Sequence, residues 1–311
     1  MARLPEELRT GLRGMFAFPI TPFTPDYEVD VKRYREHLAY LIDAQPAALF
    51  VCGGSGEFAS LDLEEYRALV KAGVEEAAGR IPVIAGAGYG TKIAMQFVQA
   101  AEAAGADGVL VLPPYLLQSE QEGLLAHYRA VAQATRLGVI VYQRDNAIFA
   151  PSTAQRLTEI PNLIGFKDGH GDMERLTRIR LAIGERLAFM NGMPTAELSA
   201  LAFFGLGITS YSSAVFNFVP QISHAFFRAL NASDVPGVSH LVASFYRPLA
   251  ELRERKKGYA ISLIKAGVNI VGKPVGKVRP PLVYPSPAEE AELKAIIEKG
   301  LAALRESQPL R

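Results

Sequence analysis

Eight short apolar runs, each followed by a stretch with helical spacing, constrain this chain more than any other feature. They cover residues 14–20, 48–52, 82–85, 108–112, 138–142, 163–167, 187–191 and 207–211. Their spacing of roughly 25–35 residues is the length of one βα unit. Eight buried strands alternating with helices predict a closed (β/α)8 TIM barrel. The rival is a doubly wound open sheet, which carries a glycine-rich phosphate turn after its first strand. Here Pro19-Ile20-Thr21-Pro22 follows that strand, so the barrel is the better reading.

The helices between the runs are punctuated by capping signals. Asp62 with Glu65, Ser119 with Glu122 and Ser152 with Gln155 match the spacing of a capping box. Thr91 is placed to cap a helix over 92–104 that stops at Gly105. Past the eighth run, residues 220–231, 236–255, 258–271 and 287–305 keep helical apolar spacing. Ser286, Pro287 and Glu289 mark a helix start, and the proline-rich 274–285 reads as a connecting loop. The expected organisation is an N-terminal segment 1–13, a barrel over 14–232, and a C-terminal helical extension over 233–311.

Composition narrows the function classes. A net charge of +1 leaves no electrostatic footprint for nucleic acid or an acidic membrane surface. With 49% hydrophobic and 21% charged residues the chain is an ordinary globular protein. A single cysteine, Cys52, excludes an internal disulfide and a cysteine-cluster metal site; within its apolar run it reads as a buried, inert thiol. The N-terminus carries acids and a proline where a signal peptide needs an apolar core. No apolar segment reaches the ~20 residues that span a bilayer. The expected setting is the reducing cytoplasm, without a membrane or nucleic-acid partner.

All strand C-termini of such a barrel open onto one face, so residues distant in sequence converge there. The sixth run ends in Gly165-Phe166-Lys167-Asp168-Gly169, which delivers a lysine to a strand tip. Held out of water, a lysine loses proton affinity, and its neutral amine can attack a ketone. Taken alone, a strand-end lysine is more often a salt-bridge partner than a nucleophile. The fifth run ends in Tyr142-Gln143-Arg144-Asp145-Asn146, one repeat before Lys167. Its phenol would reach the same mouth and shuttle protons, although an aromatic filler at the rim has the same signature. The second run ends in Gly53-Gly54-Ser55-Gly56-Glu57, whose turn exposes N–H groups and a hydroxyl to a carboxylate or phosphate. Asn191, Ser210 and Ser212 at the seventh and eighth tips are candidate partners for substrate hydroxyls. Arg144 is the candidate for a distal carboxylate, with a surface salt bridge as its alternative. His170 and Asp172 follow the sixth break and read as a helix cap or solvated turn rather than metal ligands.

These residues carry a resemblance. Gly54-Ser55-Gly56-Glu57, Pro114-Tyr115 with Gln121-Glu122-Gly123, the Tyr142 strand and Gly165-Phe166-Lys167-Asp168 resemble the motifs of the dihydrodipicolinate synthase/N-acetylneuraminate lyase family. The resemblance runs over most of the chain. It implies a class I mechanism in which Lys167 forms a Schiff base with a 2-keto acid. Tyr142 would be the acid/base, Ser55 would assist, and the Gly54–Ser55 backbone would hold the keto acid's carboxylate. It also implies a 2-keto sugar acid as substrate and a homotetramer as assembly. No cofactor or metal is expected, since the covalent imine is itself the electron sink. Two departures argue against synthase activity: Gly54 and Ser55 replace a pair of threonines, and Leu116 replaces a second tyrosine. Residues 142–146, 165–169, 171–172 and 204–213 resemble instead a branch that dehydrates and decarboxylates its substrate. A carbon–carbon-cleaving aldolase and a barrel that only binds a keto acid are the alternatives.

Overall fold

The computed structural model describes residues 3–306. Residues 1–2 and 307–311, the outer ends of the expected N-terminal segment and C-terminal extension, lie outside the described residues. Eight parallel strands close into a barrel in chain order. They are β1 (Met15–Ala17), β2 (Ala48–Val51), β3 (Val83–Ala87), β4 (Gly108–Val111), β5 (Gly138–Gln143), β6 (Leu163–Asp168), β7 (Ala188–Asn191) and β8 (Tyr211–Ser213). Helices α2 (Val31–Asp43), α3 (Leu63–Ala77), α4 (Thr91–Ala103), α5 (Gln121–Gln133), α6 (Pro151–Leu157), α7 (Met173–Ile183) and α8 (Ala196–Gly205) alternate with them.

The barrel interior is a packed cluster of Phe16, Phe18, Phe50, Ile84, Leu110, Ile140, Tyr142, Ile164 and Met190. The helix α1 (Pro5–Gly11) plugs its lower end with Leu8, joined by Leu12 beyond the helix. Contact there is close: a Cβ on Gly108 would stand 2.7 Å from Leu8 Cδ2. The outward faces of the strands and the inner faces of the helices form a second, larger cluster that holds the shell to the barrel.

Past β8 the chain runs through α9 (Pro220–Asn231), α10 (Val235–Leu241), a π-helical turn at Val242–Tyr246, α11 (Arg247–Glu254), α12 (Tyr259–Ile270) and α13 (Pro287–Glu306). The expected helix over 236–255 is thus two helices joined by that turn. The four helices of the extension otherwise stand where their apolar spacing put them, with the 274–285 loop between α12 and α13.

Several local expectations fail for identifiable reasons. The capping boxes of Asp62 with Glu65 and of Ser286 with Glu289 form. Ser119 and Ser152 cap nothing. The helix α5 begins two residues after Ser119, with an extended Glu120 at its N-cap. Its first residue, Gln121, accepts the Ala150 N–H at 2.8 Å and donates to Ile148 O at 2.9 Å. Gln121 therefore takes the N-cap N–H of α6, the part Gln155 would play in the expected box, while Pro151 opens that helix. Thr91 is the first residue of α4 rather than its cap, and its hydroxyl bonds His127 Nδ1 at 2.9 Å. The eighth strand begins at Tyr211, because Gly207 (φ +75°) and Ile208 still belong to the turn that closes α8.

Candidate active site

One register shift sets the centre of the barrel mouth. In the pairing of β5 with β6, Val139 faces Leu163 but Ile140 faces Gly165, so Ile164 is an extra residue on β6. This bulge advances every later pair by one. Lys167 consequently stands opposite Tyr142; an unbroken ladder would put Phe166 there.

Lys167 is 4% exposed. Its Nζ lies 3.8 Å from the centroid of the Tyr142 ring and 4.8 Å from that of Phe18. The Tyr142 hydroxyl donates to Gly192 O at 2.8 Å and accepts from Arg144 Nη1 at 3.3 Å. Burial lowers the Lys167 ammonium from its ordinary range, and nearby Arg144 adds to this against the pull of Tyr142 and Asp168. Burial works to raise the Tyr142 phenol, but the cations Lys167 and Arg144 outweigh it and leave it below its ordinary value. Each member of the pair therefore releases its proton more readily than it would in water.

Two glycines make this approach possible. A Cβ on Gly192 would sit 2.7 Å from Lys167 Cγ, and one on Gly169 would sit 2.7 Å from Tyr142 Cε2. Behind them Asp168, its carboxyl raised by burial, accepts from Gln143 Nε2 at 2.6 Å and Gly171 N at 3.0 Å, fixing the turn after β6. Asp172 accepts from Arg175 N and caps α7. Cys52 is fully buried, and burial pushes its thiol up, away from the reactive thiolate.

Lys167 and Tyr142 open onto a cavity of about 570 Å3. Gly54, Ser55, Arg144 and Ser212 also line it. Gly54 is exposed, and nothing lies within 4 Å of where its Cβ would be. The Gly54–Ser55 segment therefore presents bare backbone to the cavity. Arg144 is half-buried, its Nε 3.3 Å from Asp145 Oδ2.

Two sequence candidates fall outside this group. Ser210 precedes β8 and lies at the lower end of the barrel, where its Oγ accepts from Gly14 N at 3.0 Å and donates to Leu12 O at 3.4 Å. It ties the segment after α1 to the barrel and is not among the residues that line this cavity. Asn191 is 1% exposed and its amide is engaged by its own turn and α8. The Nδ2 donates to Ala196 O and Ser199 Oγ, and the Oδ1 accepts from Met193 N, all at 3.0 Å. It braces the turn after β7 and is not among the residues that line the cavity.

The cavity also has walls that the strand-tip rule does not reach. Phe18 sits one residue beyond β1 and is indistinguishable in sequence from core. Arg253, Lys256 and Tyr259 come from the end of α11 and the start of α12, so the extension closes one side of the mouth. Arg253 hydrogen-bonds Thr195 and Glu254, and Lys256 pairs with Glu289 at 2.9 Å. Among the described residues, no cluster of three or more His, Cys, Asp or Glu side chains could hold a metal ion. No described helix is long and apolar enough to cross a membrane.

The model of the dihydrodipicolinate synthetase family matches residues 11–300. A protein of Streptomyces griseus named "Probable 5-dehydro-4-deoxyglucarate dehydratase" is 52% identical over 94% of this chain and 93% of its own. A protein of Bradyrhizobium diazoefficiens with the same name is 49% identical over 98% and 97%. Among solved structures, dihydrodipicolinate synthase from Bacillus clausii superposes with a TM-score of 0.87 at 28% identity, covering 94% of this chain and 98% of that one. The synthase from Oceanobacillus iheyensis gives 0.88 at 26% identity over 96% and 99%.

Proposed function

The chain belongs to the dihydrodipicolinate synthetase family, and on that premise we propose that it dehydrates and decarboxylates 5-dehydro-4-deoxy-D-glucarate to 2,5-dioxopentanoate, CO2 and water. The observation that carries this reading is a buried lysine with lowered proton affinity, face to face with a tyrosine at the edge of an open cavity.

The neutral Lys167 amine attacks the C5 ketone, and loss of water gives an iminium. The C6 carboxylate beside it rests on the Gly54–Ser55 backbone. The iminium acidifies C4–H; the resulting enamine expels the C3 hydroxyl with a proton and leaves a C3=C4 bond conjugated with C5=N. Only then does the C1 carboxylate, carried on C2, stand one double bond removed from the electron sink. As CO2 departs, the C1–C2 electrons pass through C2=C3 and C4=C5 to nitrogen. The C2 hydroxyl is now an enol and ketonises to the aldehyde, and hydrolysis of the imine returns Lys167. Two waters leave and one is consumed, so the net release is one. Dehydration before decarboxylation follows from this conjugation.

Tyr142 carries the protons at the imine, as its position and lowered proton affinity allow, with Ser55 assisting. Arg144 and Ser212 face the rest of the substrate. An arginine clamped tightly on the C1 carboxylate would hold back CO2, because the negative charge must leave those oxygens. Arg144 already shares its charge with Asp145, which suits a carboxylate that is held and then lost. No cofactor enters this chemistry. A homotetramer in the cytoplasm belongs to the same reading; Tyr115 and Leu116, 61% and 77% exposed beside the mouth, offer apolar surface for a neighbouring copy.

The test is product analysis with 5-dehydro-4-deoxyglucarate. Equimolar CO2 and 2,5-dioxopentanoate are expected, whereas pyruvate release would establish the aldolase alternative. Borohydride reduction during turnover should place the substrate's carbon skeleton on the Lys167 peptide, and an unmodified peptide would end the covalent reading.

A further inference from the structure

The turn that faces the cavity at Gly54 and Ser55 is held from behind by a part of the chain far from the barrel. Its last residue, Glu57, adopts the left-handed conformation at φ +56°, which costs a residue with a Cβ about 1 kcal/mol. Something must therefore fix it. Inside the turn, Glu57 N donates to Gly54 O at 3.1 Å and Phe58 N to Gly53 O at 3.2 Å. Thr21 Oγ1 donates to Gly56 O at 2.7 Å.

The Glu57 side chain points away from the cavity, towards the extension. Its Oε2 accepts the backbone N–H of Arg279 at 3.0 Å, and its Oε1 lies 2.6 Å from Lys265 Nζ on α12. Both side chains are 0% exposed. Lys265 donates in turn to Lys277 O at 3.0 Å, and its Nζ stands 4.0 Å from the centroid of Phe23. One carboxylate thus gathers α12 and the 277–279 segment of the connecting loop onto the end of the β2 turn. Breaking such a pair leaves an uncompensated buried charge, so its geometry is stiff.

We propose that Glu57 and Lys265 are positioning residues for the keto acid's carboxylate. The buried pair holds the Gly54–Ser55 backbone at the place where that carboxylate binds, and makes the C-terminal extension part of the substrate site. This rests on the reading of Lys167 as the Schiff-base lysine and of the turn as the carboxylate anchor. Neither residue lines the cavity, so both act through the turn.

The experiment uses pyruvate, whose carboxylate is its only anchor besides the ketone. Borohydride trapping on the Lys167 peptide is measured against pyruvate concentration for the wild-type chain, Lys265→Met and the double variant Glu57→Gln/Lys265→Met. The double variant removes both charges and so escapes the penalty of a lone buried ion. The expected result is a half-saturating concentration raised about tenfold or more in both variants, the loss of roughly one charge-assisted contact. The limiting adduct yield should stay unchanged, and the Tm of the double variant should recover towards wild type. A purely structural pair also lowers the Tm of Lys265→Met but predicts a different split: the active fraction falls with it, while the half-saturating concentration stays put in both variants. That result overturns the proposal. Absence of any wild-type adduct, with pyruvate or with 5-dehydro-4-deoxyglucarate, would overturn the Schiff-base reading itself and this inference with it.

Discussion

Lys167 and Lys265 are both out of water, at 4% and 0% exposed, yet their surroundings differ in kind. Lys265 has a carboxylate at 2.6 Å, a carbonyl at 3.0 Å and an aromatic face at 4.0 Å. Burial lowers its ammonium to about 8, and Glu57 opposes that fall. At neutral pH it keeps its proton and its charge is matched. Lys167 has the rings of Tyr142 and Phe18 and a phenol that can itself ionise. No carboxylate forms an ion pair with it among the described residues. Burial with a matching charge makes a lysine a fastener, whereas burial against a cavity without one makes it a nucleophile.

The sharpest way to break this contrast is to replace each lysine by methionine. Lys167→Met should lower kcat by at least about 10^4-fold and abolish the borohydride adduct. It removes a buried amine that has no carboxylate partner, so its unfolding free energy should stay level or rise. Lys265→Met should do the reverse: kcat of the wild-type order, with stability reduced by about 3–5 kcal/mol as Glu57 is left buried and unpaired. Steady-state kinetics together with urea unfolding read both quantities. If Lys265→Met lost kcat as Lys167→Met does, the two lysines would not divide chemistry from scaffold.

A smaller effect is expected at the phenol. Tyr142→Phe keeps the ring against Lys167 Nζ but removes the proton carrier. Turnover should fall about 10^2–10^4-fold while trapping of the imine on Lys167 persists, at a lower rate. Loss of trapping altogether would mean that the hydroxyl, rather than burial, prepares the amine.

Lys167 was legible in the sequence because it violates a local rule: a charge ends an apolar strand. Tyr142 was legible because the repeat length places it one strand earlier. Lys265 breaks no such rule, since one lysine on an amphipathic helix looks like a solvated residue; its partner Glu57 is more than two hundred positions away. The bulge at Ile164 was invisible for a related reason. It is a property of the pairing between strands, and only the pairing shows that Lys167 rather than Phe166 meets Tyr142. Ser210 precedes β8 and Ser212 lies within it, so the first bonds the chain below the barrel while the second lines the mouth. Asn191 stands at a strand tip as expected, but it is buried bracing its own turn and does not line the cavity. Strand ends were readable from periodicity, while the side-chain bonds that use them up were not.

The smallest effect tests the origin of the lowered proton affinity. The neutral amine is the nucleophile, so kcat/KM should climb with pH along a limb that lies below the ordinary lysine value of 10.5. Tyr142 pulls the Lys167 ammonium up and Arg144 pushes it down. Tyr142→Phe should therefore slide the limb to lower pH, and Arg144→Met should slide it to higher pH. The same shift acts on folding. An unfolded Lys167 holds its proton up to 10.5, and the folded one releases it earlier. Between those two values the unfolded chain binds more protons, and stability rises with pH. Lys265, lowered to about 8, contributes a rise of the same sign between 8 and 10.5. Denaturation of Lys167→Met should show a shallower rise through this window than wild type, with the part owed to Lys265 intact. An unchanged slope would mean that Lys167 is as fully charged in the folded chain as in water, and burial would no longer explain its reactivity.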